Sequence, residues 1–213
     1  MMRTLIMVSG GGTNLQAIID AQIANTEIVA VLSDNPQAFG LERAAVAGIP
    51  GITVDYKSFA RRQDFDAALQ ETLQQINPDL IVLAGFMRIL AAELVTEYAG
   101  RMINIHPSLL PAYPGLNTYQ RALDAGESWH GSSVHFVIPE LDAGPAFLQY
   151  RAAIQPDDSA ASLASRVQQG EYRIYPQAIA MLASGQLQLD NDVVYQDGQP
   201  LVIPLVVNET DLH

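Results

Sequence analysis

The chain has 213 residues, 49% hydrophobic and 16% charged, with no cysteine and a formal charge of −12. This composition suits one packed domain, fits poorly with disorder, and excludes disulfides and thiolate metal sites. Eleven Lys and Arg residues, with Arg61-Arg62 the tightest cluster, argue against a polynucleotide or an anionic membrane as partner, while a small anionic substrate stays open because backbone N–H groups bind phosphate without a lysine.

The apolar N-terminus is too short for a signal peptide and runs straight into a Gly-rich turn, so it reads as a first strand over 5–8, and the lack of cysteine makes the cytoplasm the expected compartment. Gly10-Gly11-Gly12-Thr13-Asn14 then leads into an amphipathic helix over 15–24. A second strand is expected at 28–32 and a helix at 39–47, closed by Gly48. A short strand follows at 52–54. Phe65, Ala68, Leu69, Leu73 and Ile76 recur at helical spacing until Asn77-Pro78 ends the pattern. Residues 80–84 are apolar at every position, as in a strand buried on both faces of a parallel sheet. A helix over 91–99 and a strand over 102–105 complete the first half.

The second half changes character. Residues 107–114 hold three prolines, 118–125 look helical, and strands at 133–138 and 146–154 form a long-looped antiparallel pair. A long helical pattern over 159–183 contains Pro176, which is expected to kink it or split it in two. The tail, 187–205, reads as a small hairpin. The fold class is therefore α/β, a doubly wound, mostly parallel, Rossmann-like sheet with an antiparallel C-terminal part. One domain, 1–213, is expected: a phosphate-binding half over about 1–106, a catalytic half over about 107–189, and a tail hairpin from 190.

In such sheets ligands bind beyond the carboxyl ends of the strands. The Gly-rich loop, the stretch Gly85-Phe86-Met87-Arg88 and the pair Asn104/His106 all fall there. Asn104 and His106 sit two apart at a strand end, so they share a face. A neutral donor beside a titrating one suits a carbonyl oxygen that gains charge. Asp142, between glycine and proline neighbours, is either a carboxylate that reaches His106 and favours its charged form or a solvated loop aspartate. Ser133 and His135 share a strand face and point to the same pocket, or His135 is a buried structural histidine. The Gly-rich loop lacks the Lys of a P-loop and the third glycine of a dinucleotide fingerprint. It is a phosphate cradle or a tight turn with Thr13 or Asn14 as N-cap. Arg88 among apolar neighbours suits a flat ligand with a polar edge, or is a snorkelling arginine at a helix start. Glu171 is a ligand group or a surface glutamate.

Five motifs taken together resemble the glycinamide ribonucleotide formyltransferases, folate-dependent enzymes of purine synthesis. They are Ser-Gly-x-Gly-Thr-Asn-Leu-Gln-Ala-Ile at 9–18, Leu-Ala-Gly-Phe-Met-Arg-Ile-Leu at 83–90, Asn-Ile-His-Pro-Ser-Leu-Leu-Pro at 104–111, Tyr-Pro-Gly-Leu at 113–116 and His-Phe-Val…Glu-Leu-Asp-x-Gly-Pro at 135–145. The resemblance runs from about 5 to about 189. It implies that Asn104, His106 and Asp142 form a catalytic trio. It implies that Gly12, Thr13 and Asn14 hold a substrate phosphate and that Gln168, Gln169, Gly170 and Glu171 contact the ribonucleotide. Arg62, Met87, Arg88, Ile89, Leu90, Asn104, Ile138, Pro139, Glu140, Leu141 and Asp142 would line the folate pocket, with Ser133 and His135 in support. The implied co-substrate is 10-formyltetrahydrofolate, with no metal and small molecules as the only partners. The chain would act as monomer or dimer.

Three other readings share parts of this pattern. A methionyl-tRNA formyltransferase needs a basic extension, and this chain is short and acidic. A formyltetrahydrofolate hydrolase carries an N-terminal regulatory domain, whereas this chain begins at its first strand, and a phosphate loop serves no purpose for water as acceptor. A non-catalytic folate- or nucleotide-binding module has no use for the trio.

Overall fold

The computed structural model describes residues 1–212, which divide into two compact units, Met1–Ile103 and the residues from Asn104 onward.

The first unit is built of βα repeats. Strand β1 (Met2–Val8) runs into helix α1 (Thr13–Asp20), then β2 (Thr26–Ser33), α2 (Phe39–Val46) and β3 (Gly51–Thr53). A single 3-10 turn at Tyr56–Ser58 precedes α3 (Arg62–Ile76), β4 (Leu80–Leu83) and α4 (Ala92–Glu97). The strands lie in the order β4-β1-β2-β3, and every pair is parallel. Leu5, Ile6, Met7 and Val8 are fully buried, and all four residues of β4 are buried. That is the apolar-throughout pattern of strands covered on both faces. Helix α3 buries Phe65, Leu69 and Leu73 along one stripe and stops at Asn77, whose left-handed backbone is followed by Pro78.

The second unit takes up β5 (Met102–His106) from Asn104 onward, then α5 (Thr118–Asp124), β6 (Trp129–Phe136), β7 (Ala146–Ala153) and α6 (Ala160–Ala183). Four short strands close it: β8 (Leu187–Asp190), β9 (Val193–Gln196), β10 (Gln199–Pro200) and β11 (Leu205–Asn208). Strands β6 and β7 are antiparallel, and β11 adds to the far edge of β7 in parallel. The fold is thus a mostly parallel α/β sheet of Rossmann-like type with a small antiparallel sheet near the C-terminus.

Three expectations change. Helix α6 is one helix with Pro176 inside it, neither split nor ended there. Proline forfeits one backbone hydrogen bond, and the buried stripe of Leu163, Val167, Ile174, Tyr175 and Ile179 holds the helix across that gap. Strand β6 starts at Trp129, four residues before the expected 133, because residues 129–132 already pair with Tyr150 to Ala153 of β7, where a Cβ on Gly131 would stand 1.8 Å from the Tyr150 carbonyl. The tail is more than a hairpin. Strands β8, β9 and β10 form a three-stranded antiparallel sheet, turned at Asn191-Asp192 and Asp197-Gly198, all four with positive φ. No helix among the described residues is long and apolar enough to cross a membrane.

Candidate active site

In the second unit β5 ends in Asn104-Ile105-His106, and the two polar side chains meet partners brought by β6 and by the loops on either side. His106 is buried. Its Nε2 lies 3.0 Å from the carbonyl oxygen of Tyr113, to which it donates, and its Nδ1 lies 3.4 Å from Oδ2 of Asp142. Both ring nitrogens therefore face oxygen acceptors, a pattern that a proton on each nitrogen satisfies. Asp142 is reached by a backbone with φ of +52°, which an aspartate tolerates better than most side chains. The same Oδ2 accepts the N–H of Gly115 at 2.9 Å, and Oδ1 is 3.9 Å from Nε2 of His135.

His135 fixes the tautomer logic of the cluster. Its Nδ1–H donates to the Phe136 carbonyl at 2.9 Å, so Nε2 keeps its lone pair and accepts from the Asn104 amide at 3.2 Å. Burial pushes the ring below the ordinary histidine value, which keeps it neutral and keeps that lone pair available. Asn104 is thereby oriented by a histidine that is itself pinned to the backbone.

Ser133 does not face this cluster. Its hydroxyl donates to the Ser108 carbonyl at 2.7 Å and accepts from the Leu110 N–H at 3.0 Å and from Nε2 of Gln149 at 2.9 Å. Gln149 also donates to the Leu110 carbonyl. Ser133 therefore clamps the proline-rich loop, in which the Leu110-Pro111 bond is cis. Thr118 and His130 both donate to the Pro107 carbonyl, and Ser108 donates to the Ala112 carbonyl. This many anchors make the loop that carries Tyr113 and Gly115 a rigid wall.

The loop from Ile138 to Asp142 leaves Pro139, Glu140 and Leu141 exposed. Beyond it, Gly144 presses on β6, where a Cβ would stand 1.9 Å from the Phe136 carbonyl. A cavity of about 430 Å³ opens on the other side, between Asp142, Pro145, Leu110 and the tail residues Val193, Leu201 and Val202.

On α6 the four predicted ligand residues part company. Gln168 and Gln169 are exposed, whereas Gly170 is buried with its Cα against the Tyr150 ring, 2.1 Å from where a Cβ would be. Glu171 is not a surface glutamate but buried. Burial raises the phenols of Tyr119 and Tyr175, and the Glu171 charge near each raises them further. The periodicity of Leu163, Val167, Glu171, Ile174 and Ala178 carries this information, since Glu171 falls on the apolar stripe.

In the first unit the Gly-rich loop turns at Gly12, whose φ of +66° makes it the N-cap of α1 with no side-chain cap, so neither Thr13 nor Asn14 has that place. A Cβ on Gly12 would lie 2.7 Å from the Gly40 Cα, while Gly10 and Gly11 face open space. The first turn of a helix presents N–H groups that no intrahelical carbonyl takes, beside the positive end of its dipole. That suits a phosphate.

The stretch after β4 is irregular through Leu90, with α4 beginning only at Ala92, so Arg88 does not start a helix. Its Nε donates to Oδ2 of Asp34 at 2.6 Å, and its guanidinium lies 4.1 Å from the Tyr56 ring centroid. Arg62 donates to the Ile89 carbonyl at 2.6 Å. These two arginines brace the stretch, and Met87 and Ile89 are left 73% and 62% exposed. Exposed apolar side chains beside one arginine suit a flat ligand. Among the described residues no group of three or more His, Cys, Asp or Glu side chains is arranged to hold a metal ion.

The formyl transferase family model matches residues 2–179. The chain belongs to the formyl transferase family. Within that family it is 46% identical over 203 residues to the phosphoribosylglycinamide formyltransferase of Escherichia coli K12, covering 94% of this chain and 96% of that one. The solved phosphoribosylglycinamide formyltransferase from Coxiella burnetii superposes with a TM-score of 0.91 at 48% identity, covering 96% and 98% of the two chains. Glycinamide ribonucleotide transformylase 1 from Symbiobacterium toebii gives 0.86 at 41% identity, with 92% and 94% covered.

Sequence reasoning quoted Tyr113 and Gly115 in a motif but gave them no role in the trio, which they meet through backbone atoms, and it gave none to Gln149 or Asp34. A polar residue inside the apolar run Phe147-Leu148-Gln149-Tyr150 was the available signal for Gln149, because a buried amide needs partners.

Proposed function

We propose that this member of the formyl transferase family moves the formyl group of 10-formyltetrahydrofolate to the amine of 5-phosphoribosylglycinamide in de novo purine synthesis. Near-full-length similarity to proteins named for that reaction supports the reading. The observation that carries it is the buried His106 with one ring nitrogen on a carbonyl and the other turned to Asp142, beside an oriented Asn104.

The reaction then runs as follows. Thr13, Asn14 and the backbone from Gly12 hold the phosphate, and Glu171 with Gln168, Gln169 and the neighbouring Gly170 meets the rest of the ribonucleotide. Arg62, residues 87–90 and residues 138–142 line the folate site. The neutral amine attacks the formyl carbon, a C–N bond forms, and the carbonyl electron pair moves to oxygen. Asn104 and His106 donate to that oxygen. Because Nε2–H of His106 is spent on Tyr113, Nδ1–H, which is turned to Asp142, is the group shared between that carboxylate and the developing charge, and one such donor is worth about 3–4 kcal/mol in comparable sites. Asp142 takes the proton released by the amine and delivers it, directly or through water, to the departing N10 as the old C–N bond breaks. No side chain is acylated and no metal takes part. The phosphate-binding function falls to the first unit and the catalytic trio to the second, with small molecules as partners and the cytoplasm as the place of action.

The test is to mix the protein with 10-formyltetrahydrofolate, with and without glycinamide ribonucleotide, and follow the folate product. Product formed only with the acceptor is expected. Product formed equally without it makes the chain a hydrolase, and none in either case makes it a binding module.

A further inference from the structure

Ser9 follows the last residue of β1 and opens the Gly-rich turn. Its N–H donates to the Gly85 carbonyl at 3.1 Å, and its Oγ accepts the N–H of Met87 at 2.8 Å. One residue thus bonds twice to the irregular stretch after β4 while being covalently part of the Gly-rich loop. The β2–α2 turn also touches both segments, since the Asn35 amide donates to the Ser9 carbonyl at 3.4 Å and the adjacent Asp34 pairs with Arg88, but those bonds do not use the Ser9 hydroxyl. On the loop side, the Gly10 carbonyl accepts from the Gly40 N–H and the Gly11 carbonyl from Nε of Arg43. On the other side, Asp34 and Arg62 brace Arg88 and Ile89. All these contacts lie within the first unit.

We propose that Ser9 is a positioning residue that couples the two ligands, so that an anion in the Gly-rich loop favours folate binding at 87–90, and the reverse. The proposal rests on the reading above, which gives the first segment to the ribonucleotide phosphate and the second to the folate. An anion on the N–H groups at the start of α1 fixes the loop backbone. A flat ring against Met87 and Ile89 fixes the other segment. Through the Ser9 hydroxyl each ligand orders backbone that the second ligand also needs, and the second then binds to a surface already ordered. Linkage requires the factor to be the same in both directions. The hydroxyl is the changeable part, since the bond from the Ser9 N–H to Gly85 survives any side-chain substitution except proline.

The experiment is calorimetric titration of the full chain with glycinamide ribonucleotide and with 5,8-dideazafolate, a folate analogue that has no formyl group to transfer. Each ligand is titrated alone and in the presence of the other. In the wild type each is expected to tighten the other about three- to tenfold, the factor one neutral hydrogen bond is worth. In Ser9→Ala and Ser9→Cys each ligand alone is expected to bind within about twofold of wild type, with the mutual factor near one. Ser9→Thr, which keeps a hydroxyl, is expected to keep the factor. Should the alanine variant fail to fold, the cysteine and threonine variants carry the comparison. Undiminished coupling in the variants lacking the hydroxyl overturns the proposal, and so does a wild type with no coupling. A large loss of either single-ligand affinity in a folded Ser9→Ala chain overturns it too, since Ser9 would then be a ligand-binding group. If the wild type binds neither ligand, the functional reading falls and this proposal with it.

Discussion

Oδ2 of Asp142 stands 3.4 Å from Nδ1 of His106 and also accepts the N–H of Gly115 at 2.9 Å. One carboxylate oxygen therefore both faces the imidazole and is held in place by the proline-rich loop. Replacing either partner breaks the proposed proton path. His106→Ala and Asp142→Ala are expected to lose turnover by two orders of magnitude or more, with dissociation constants for both ligands changed by less than about tenfold. Steady-state kinetics beside calorimetric titration checks this, and near-normal turnover in either variant removes the assignment.

Gly144 tests the same geometry without touching a reacting group. A Cβ there would stand 1.9 Å from the Phe136 carbonyl, so the loop must move away from β6 and take Asp142 with it. A displacement of about 1 Å at a reacting group costs on the order of a hundredfold in rate. Gly144→Ala is expected to lower kcat by at least tenfold while the protein still folds, as circular dichroism and kinetics on one sample will report.

Ser133 serves three partners at once. Ser133→Ala strands the Leu110 N–H and one N–H of Gln149 in a buried place, and each unmade bond costs about 1–3 kcal/mol. A loss of about 2–3 kcal/mol in urea unfolding is expected. A variant as stable as wild type would show that the clamp is dispensable.

Arg88 neutralises Asp34, whose side chain is 2% exposed. Arg88→Ala leaves a buried carboxylate unpaired, at an expected cost of about 3 kcal/mol, the lower end of the range for such pairs because the arginine is partly solvated. Adding Asp34→Asn removes the stranded charge and is expected to recover part of that loss. Denaturant unfolding of the two variants decides it.

Burial lowers both His130 and His135 below the ordinary value of 6.5. The unfolded chain takes up protons near that value, and the native rings refuse them until a lower pH. Between those limits the unfolded state binds more protons, so stability rises with pH. The contribution is complete above about pH 6.5 and is lost progressively as pH falls below it. Calorimetric Tm is expected to fall from pH 7.5 to 5.5, and less steeply in His130→Asn. An equal slope in wild type and variant would contradict this.

Elements and chemistry were legible in the sequence to different degrees. Residues 5–8 of β1 and the whole of β4 announce themselves because residues buried on both faces are apolar without interruption. The pair Asn104 and His106 is legible because a strand fixes which side chains are neighbours. Asp142 is 36 residues from His106 in sequence, and its role was readable only from its company of glycine and proline. What stayed hidden depends on side chains turning toward distant partners. Ser133 shares a strand face with His135, yet the pairing of β6 with β7 slips between Val134 and His135, and the two side chains end in different networks. The charge of Glu171 suggested a surface place, although its position on the apolar stripe of α6 said otherwise. Pro176 suggested a kink or a split, and the split does not occur, because local preference for it is worth less than the packing of ten buried helix residues.

Strand β11 lies against β7 along Leu205 to Asn208. Without it, β7 would present a row of unmet backbone donors and acceptors between apolar side chains that include Phe147 and Leu148. Such a rim templates pairing with another chain. The final strand thus acts as a seal against self-association, and a protein clipped ahead of Leu205 would precipitate or form higher-order species before it lost its reacting groups.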